Sequence, residues 1–188
     1  MSTATAEYAL IKPQVGDDVR PDEDISTLAD QVEETLLTCY GVVARGRRET
    51  SATTAGAVER GVLRLDGVDL KGGIFYTVEL NTVEVAVTSG ETAIMHARLS
   101  TSGAATLASA SIGYAQSNAN AAFVPRQGPT LVAEYAPSSD VTVSVLLTLG
   151  KSGGVNNAVM AGSSAQPICL YVKAWGVDPG DSGVDVAP

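Results

Sequence analysis

Histidine is almost missing from this 188-residue chain. The one imidazole, His96, stands in an expected β-strand with no catalytic partner close in sequence, so it reads as a surface or sheet-facing side chain. A nucleophile–base pair or a zinc centre needs a cluster of such groups, and no second histidine can complete one. Cysteine is scarce too. Cys39 and Cys169 are 130 positions apart and make no disulfide framework; they read as free thiols on the helix and on the last strand. Aromatic residues make up 5% of the chain, so Val, Leu, Ile and Ala must fill the core. Charged residues are few, at 18%, with a net charge of −9, which opposes nucleic-acid binding because no cations replace the phosphate counterions. The same sign opposes adhesion to an anionic membrane. The longest apolar runs, such as Val145-Leu146-Leu147 and Ile168-Cys169-Leu170, are strand-sized and span no bilayer. Residues Met1 to Glu7 lack a basic start and an apolar stretch, so cytoplasmic synthesis without a signal peptide is expected.

What is present is a hydrophobic content of 45%, enough for a sizeable core. Residues 1–24 read as an extended acidic arm, broken by Pro13, Gly16 and Pro21 and charged by Asp17, Asp18, Asp22, Glu23 and Asp24. Residues 25–40 read as a helix of about four turns. Ile25, Leu28, Val32 and Leu36 share one face of it, Asp22 or Asp24 can cap its start, and Gly41 can stop it. That stripe either docks on the chain's own sheet or pairs in a short coiled coil between copies. Residues 41–56, with Arg45, Gly46, Arg47 and Arg48 before a Ser/Thr/Ala run, read as a linker whose arginines are solvated or meet the acidic arm.

From residue 57 to 176 the pattern is β throughout. Strands are expected near 57–65, 74–80, 83–88, 92–100, 106–114, 130–136, 141–149, 155–161 and 167–175. Alternation is clearest in Val141, Val143, Val145, Leu147 and Leu149. Turn signals such as Asp66-Gly67, Lys71-Gly72-Gly73 and Ser152-Gly153-Gly154 separate the runs. No helices intervene, so the expected fold is mainly β: an antiparallel β-sandwich of jelly-roll type, preceded by the arm and one short N-terminal helix. The polar stretch 115–129 reads as a long loop with Gln116, Asn118 and Asn120 as candidate recognition residues. Residues 177–188 read as an extended tail.

Chemistry-bearing motifs are weak. Gly150-Lys151-Ser152 has the ending of a phosphate-binding loop, but Val145 stands where its first glycine belongs and Gly153-Gly154 where its helix should start; a hairpin turn is expected. Asp66 with Asp69, and Asp178 with Asp181, do not have calcium-loop spacing and read as turn residues. Paired carboxylates for glycoside hydrolysis are not singled out anywhere. Trp175, Tyr171 and Tyr135 complete a core or an interface, or stack on a sugar. No catalytic residue, metal ligand or cofactor is expected.

One family-level likeness stands out. The run Leu170-Tyr171-Val172-Lys173-Ala174-Trp175-Gly176-Val177-Asp178-Pro179-Gly180-Asp181-Ser182-Gly183-Val184 resembles the C-terminus of small structural proteins of actinobacteriophages. Arg60-Gly61-Val62-Leu63-Arg64-Leu65-Asp66-Gly67-Val68, followed by a Gly-Gly turn and Tyr76, is similar to theirs, as is Val141-Thr142-Val143-Ser144-Val145-Leu146-Leu147 after an Ala-Pro-Ser turn. The likeness covers residues 57–184. It implies a non-enzymatic virion structural protein, a head decoration or a minor tail protein, and transfers no catalytic residue. The expected partners are copies of the chain itself, as a homotrimer, and other virion proteins such as major capsid or tail proteins. Nucleic acid and membrane are not expected partners, and the expected location is the virion. Ile25, Leu28, Val32 and Leu36 would anchor or oligomerise the chain. The alternative reading is a module that binds host-surface glycans or proteins through loop 115–129.

Overall fold

In a computed structural model, the described residues are 3–4, 11–12, 27–30, 32, 40–81, 84–88, 90–118, 124–127 and 131–177. For 3–4, 11–12, Tyr40, Asn118, 124–127 and Val177 only the backbone is described. The fold is mainly β and is a sandwich of two four-stranded antiparallel sheets. The front sheet has the order β3 (Tyr40–Arg48), β14 (Ile168–Val177), β6 (Ile74–Leu80), β11 (Leu131–Tyr135). The back sheet has the order β5 (Arg60–Leu70), β12 (Val141–Lys151), β8 (Thr92–Ser100), β9 (Ala110–Asn118).

The pairing is nested. β3 pairs with β14, β5 with β12, β6 with β11 and β8 with β9, first with last and so inward. One long folded ribbon of eight strands is thus rolled until β14 meets β6 and β12 meets β8. This is the jelly roll that the spacing of strands and turns predicts.

Four short strands lie in the crossings between the sheets: β4 (Ala52–Thr53), β7 (Glu84–Val87), β10 (Val124–Gln127) and β13 (Val159–Met160). They pair in the order β10, β7, β13, β4 and close one end of the sandwich. The opposite end carries the turns 71–73, 101–109 and 136–140. Tyr40, the first residue of β3, and Trp175, near the end of β14, are paired there. A further two-residue pair, β1 (Thr3–Ala4) with β2 (Ile11–Lys12), lies in the arm.

Burial follows the period of two. β8 alternates strictly, with Ala93, Met95, Ala97 and Leu99 inward. They face Val78, Leu80, Leu170 and Val172 of the front sheet in one continuous core. β12 is buried on both faces from Val143 to Lys151, because side chains from the 59–66 stretch cover its outer face. At the far edge Gly113 lets β9 approach β11: a methyl group there would lie 2.6 Å from the Ala133 Cβ.

Several expectations are corrected. The 41–56 linker contains β3 and β4. In β3 the inward residues Ala44 and Gly46 are small and Arg45 and Arg47 point out, so the strand lacks the apolar alternation that marks the others. Gly41 lies inside β3 with φ 99° and does not stop a helix. Tyr40 is likewise strand, while residues 27–30 and 32 are helical. Asp66-Gly67 is not a turn between strands: Gly67, at φ 67°, lets β5 bulge against β12 and run on to Leu70. The strand expected at 106–114 is Ala110–Asn118, because a turn takes residues 106–109, with the Ser109 N–H on the Thr106 carbonyl. The strand expected over 155–161 shortens to Val159–Met160. Stretch 115–129 is not one loop, since β9 runs to Asn118 and Val124–Gln127 pairs with β7.

Candidate functional site

The outer face of the front sheet presents the most distinctive surface. β14 alternates Ile168, Leu170, Val172 and Ala174 inward, and so turns Cys169, Tyr171, Lys173 and Trp175 outward. Register then builds two rows across the sheet. Arg45, Tyr171, Glu79 and Val132 form one; Val42, Lys173, Thr77 and Glu134 form the next.

Trp175 is 55% exposed, yet its ring is fixed, because the indole N–H donates to Thr77 Oγ1 at 2.8 Å. Tyr171 lies between two cations: the Arg45 guanidinium is 5.4 Å from the ring centroid and the Lys173 ammonium 5.8 Å. Its hydroxyl accepts from the Asn81 amide at 3.5 Å. Lys173 donates to Glu79, which also accepts from Thr77 at 2.9 Å. Burial pushes the Glu79 carboxyl up, but these bonds and the Lys173 charge outweigh it, and its pKa lies below the ordinary value. Arg45 donates to the buried Cys169 sulfur at 3.8 Å, and this bond first, then attraction to Tyr171 and Cys169, raises its pKa. No carboxylate pairs with Arg45 among the described residues. The result is a rigid platform of two aromatic rings with a fixed carboxylate and an unmatched guanidinium.

The back sheet's outer face holds a second polar cluster. Arg98 grips Glu59 with two bonds of 2.9 and 2.8 Å and donates to the Ser109 carbonyl at 2.9 Å. Thr148 also donates to Glu59. Burial raises the Glu59 pKa, but the Arg98 and Thr148 bonds and the charges of Arg98 and His96 leave it below the ordinary value. Glu59 is thus held as a carboxylate and suits a latch over β12 better than a proton donor. His96 Nδ1 is 3.0 Å from Ser111 Oγ, and its ring is 6.1 Å from the exposed Tyr114. An open groove of about 620 Å³ runs between the edge strands β3 and β5, lined by Val43, Ala44, Arg45, Leu65, Asp66 and Val68 among others.

The residues proposed from sequence are placed as follows. Leu28 and Val32 are helical and exposed; Ile25 and Leu36 lie outside the described residues. Gln116 is exposed on β9, Asn118 pairs with Thr92 through its backbone, and Asn120 lies outside the described residues. Cys39 is also outside them, and Cys169 is a buried free thiol. Lys151 of the Gly-Lys-Ser run is buried, with its ammonium paired to Glu91 at 2.7 Å. Asp66 accepts from Ser144 and Arg64, and Asp69 from Thr142. Among the described residues no group of three His, Cys, Asp or Glu side chains is placed to hold a metal, and no helix is long and apolar enough to cross a membrane. Sequence reasoning named Trp175 and Tyr171 but missed Arg45, Thr77 and Glu79, which only strand register brings beside them.

Charge is divided unevenly along the chain. Residues 40–177 carry nine carboxylates against ten Lys and Arg; residues 1–39 carry nine against two, and residues 178–188 three against none. The net negative charge therefore resides in the sequence outside residues 40–177.

No protein-family model matches the chain, and no curated protein matches it. Among solved structures, it is similar to the CBM22-1–GH10 modules of the N-terminal part of Clostridium thermocellum endo-1,4-β-D-xylanase 10B, solved with xylohexaose, at 13% identity and a TM-score of 0.37. The match covers 80% of this chain and 30% of that one, so the chain spans under a third of its neighbour. A likeness of this size says nothing about function.

Proposed function

We propose that the chain is a non-enzymatic structural protein of a tailed bacteriophage particle, attached as a capsid decoration or a minor tail component. One observation carries this reading. The sandwich is closed by a four-stranded sheet at one end, while Tyr40 and Trp175 are paired at the other, and the sequence outside residues 40–177 carries the net negative charge. Attachment at the Tyr40 end and exposure of the closed end fit this arrangement. The runs similar to actinobacteriophage structural proteins fall on β5, β12 and β14. The partners on this reading are further copies of the chain, as a homotrimer, and capsid or tail proteins at the arm end.

The test is peptide mass spectrometry of gradient-purified particles made from the genome that encodes the chain. Peptides of the chain should remain after high-salt washing in a fixed ratio to the major capsid protein. Their loss at the first wash sinks the proposal.

A second reading, a module that binds host-surface glycans or proteins, is favoured by the fixed, exposed Trp175 on the same face as Tyr171 rather than by stretch 115–129. Trp175 is the only tryptophan, so its emission reports any ligand on that face. Saturable change on titration with cell-wall polysaccharide would favour binding; an unchanged spectrum would leave the structural reading.

A further inference from the structure

Among the exposed apolar side chains of the described residues, two neighbouring pairs stand out. The first is on the helical segment, where Leu28 is 43% and Val32 38% exposed. They are four residues apart and share a face. The second is on the front sheet, where Val42 and Trp175 are each 55% exposed. Val42 is opposite Lys173, two residues from Trp175, so the pair is diagonal across β3 and β14. Asp30, Glu33 and Glu34 flank the helical pair in sequence. Near the sheet pair Lys173 is already paired with Glu79, while Arg45, three residues from Val42 on β3, has no carboxylate partner among the described residues.

We propose that the helical segment of one copy docks on the outer face of β3 and β14 of a second copy. Leu28 and Val32 then cover Val42 and Trp175, and the flanking acids approach Arg45. A second copy is the fitting occupant for two reasons. Within one chain the two patches do not cover each other. The segment 1–39 carries the negative charge that the front face, with its unmatched guanidinium, attracts. The contact is heterologous: each copy gives a helix and receives one, and three such contacts close a ring. This differs from a coiled coil, in which helices meet helices. It concerns contact between copies and holds whether or not the assembly joins a larger particle.

Mixing of two full-length variants tests it, read as mass by light scattering. The helix variant is Leu28→Asp with Val32→Asp. The face variant is Val42→Asp with Trp175→Asp, both exposed positions, with far-UV circular dichroism to show that the strands are kept. Wild type should run at a multiple of the 19.2 kDa chain mass and each variant at the chain mass. An equimolar mixture should recover a species of twice the chain mass, because the face variant still offers a helix and the helix variant still offers a face. Arg45→Glu, an exposed position whose contact with the Cys169 sulfur is lost and whose fold is checked by the same circular dichroism, should weaken assembly several-fold at low salt and less at high salt. Three results would each overturn the proposal: a wild type at the chain mass at every concentration, a face variant that assembles like wild type, or a mixture with no recovery. The second of these would assign the helices to one another or to a foreign protein.

Discussion

The Lys151 ammonium lies 2.7 Å from the Glu91 carboxylate, with the lysine side chain fully buried and the glutamate 14% exposed. The turn at Gly154 closes over them so tightly that a methyl group on that glycine would overlap Glu91. A buried pair of this kind gains little over an apolar pair, but removing one partner strands the other charge. Lys151→Met should therefore cost about 3 kcal/mol, and the double change with Glu91→Leu should recover most of it. Urea denaturation of the three proteins measures this; a single variant as stable as wild type would mean that water reaches the pair.

Gly113 faces Ala133 where β9 meets β11. Its backbone needs no positive φ, so space alone selects glycine there. Gly113→Ala should destabilise the fold by about 1–3 kcal/mol through overpacking. Exchanging the two residues, Gly113→Ala with Ala133→Gly, should restore much of the loss. If Gly113→Ala melts like wild type, the sheets are not in contact at that edge.

The fold was legible because most strands are half-buried and alternate. Val141 to Leu149 and Ile168 to Ala174 show their buried face in every second residue, and turn glycines separate them. β3 was not legible. Its inward side is Ala44 and Gly46, packed so closely that a Cβ on Gly46 would sit 2.7 Å from a Leu65 methyl, and its outward side is arginine. Close packing there demands small residues, and small residues between arginines have a linker's composition. The front-face platform was legible as Tyr171 and Trp175 but not as a site. Arg45, Thr77 and Glu79 lie 92 to 130 residues away in sequence, and only the nested pairing sets them in register.

Acid should weaken the fold in a defined range. Glu59, Glu79, Asp66 and Asp140 all have pKa values below the ordinary 4.5 for Glu and 3.8 for Asp. For Glu59 and Glu79 burial opposes the shift and hydrogen bonds overcome it. For Asp66 the Ser144 bond leads, and for Asp140 the Gly72 backbone N–H. A carboxylate depressed in the folded state binds its proton more readily when unfolded. Its stabilisation is therefore complete above the ordinary value and is lost as pH falls through the folded value. Denaturation midpoints should be flat above about pH 5 in respect of these four groups and fall steadily below pH 4.5. Glu59→Gln and Glu79→Gln should each lower the plateau and flatten the acid limb. An acid limb unchanged in both variants would remove these two groups as its cause.

The last strand should decide whether the chain folds at all. β14 lies inside the front sheet, between β3 and β6, and sends Ile168, Leu170, Val172 and Ala174 into the core. It is also the partner of β3, so its loss would unpair one strand and open the edge of another. A fragment of residues 40–177 retains the eight sandwich strands and the closing sheet and should unfold cooperatively on heating. A fragment of residues 40–167 should show no cooperative transition, although it retains seven of the eight. A fragment of residues 57–177, which follows the boundary that composition alone suggests, lacks β3 and uncovers the side of Leu63 and Leu65 that packs on Gly46. It should fold with reduced stability and a tendency to self-associate along the exposed edge of β14. Thermal melts followed by circular dichroism separate the three. Equal cooperativity in the 40–167 fragment would mean that the nested pairing of first strand with last is dispensable.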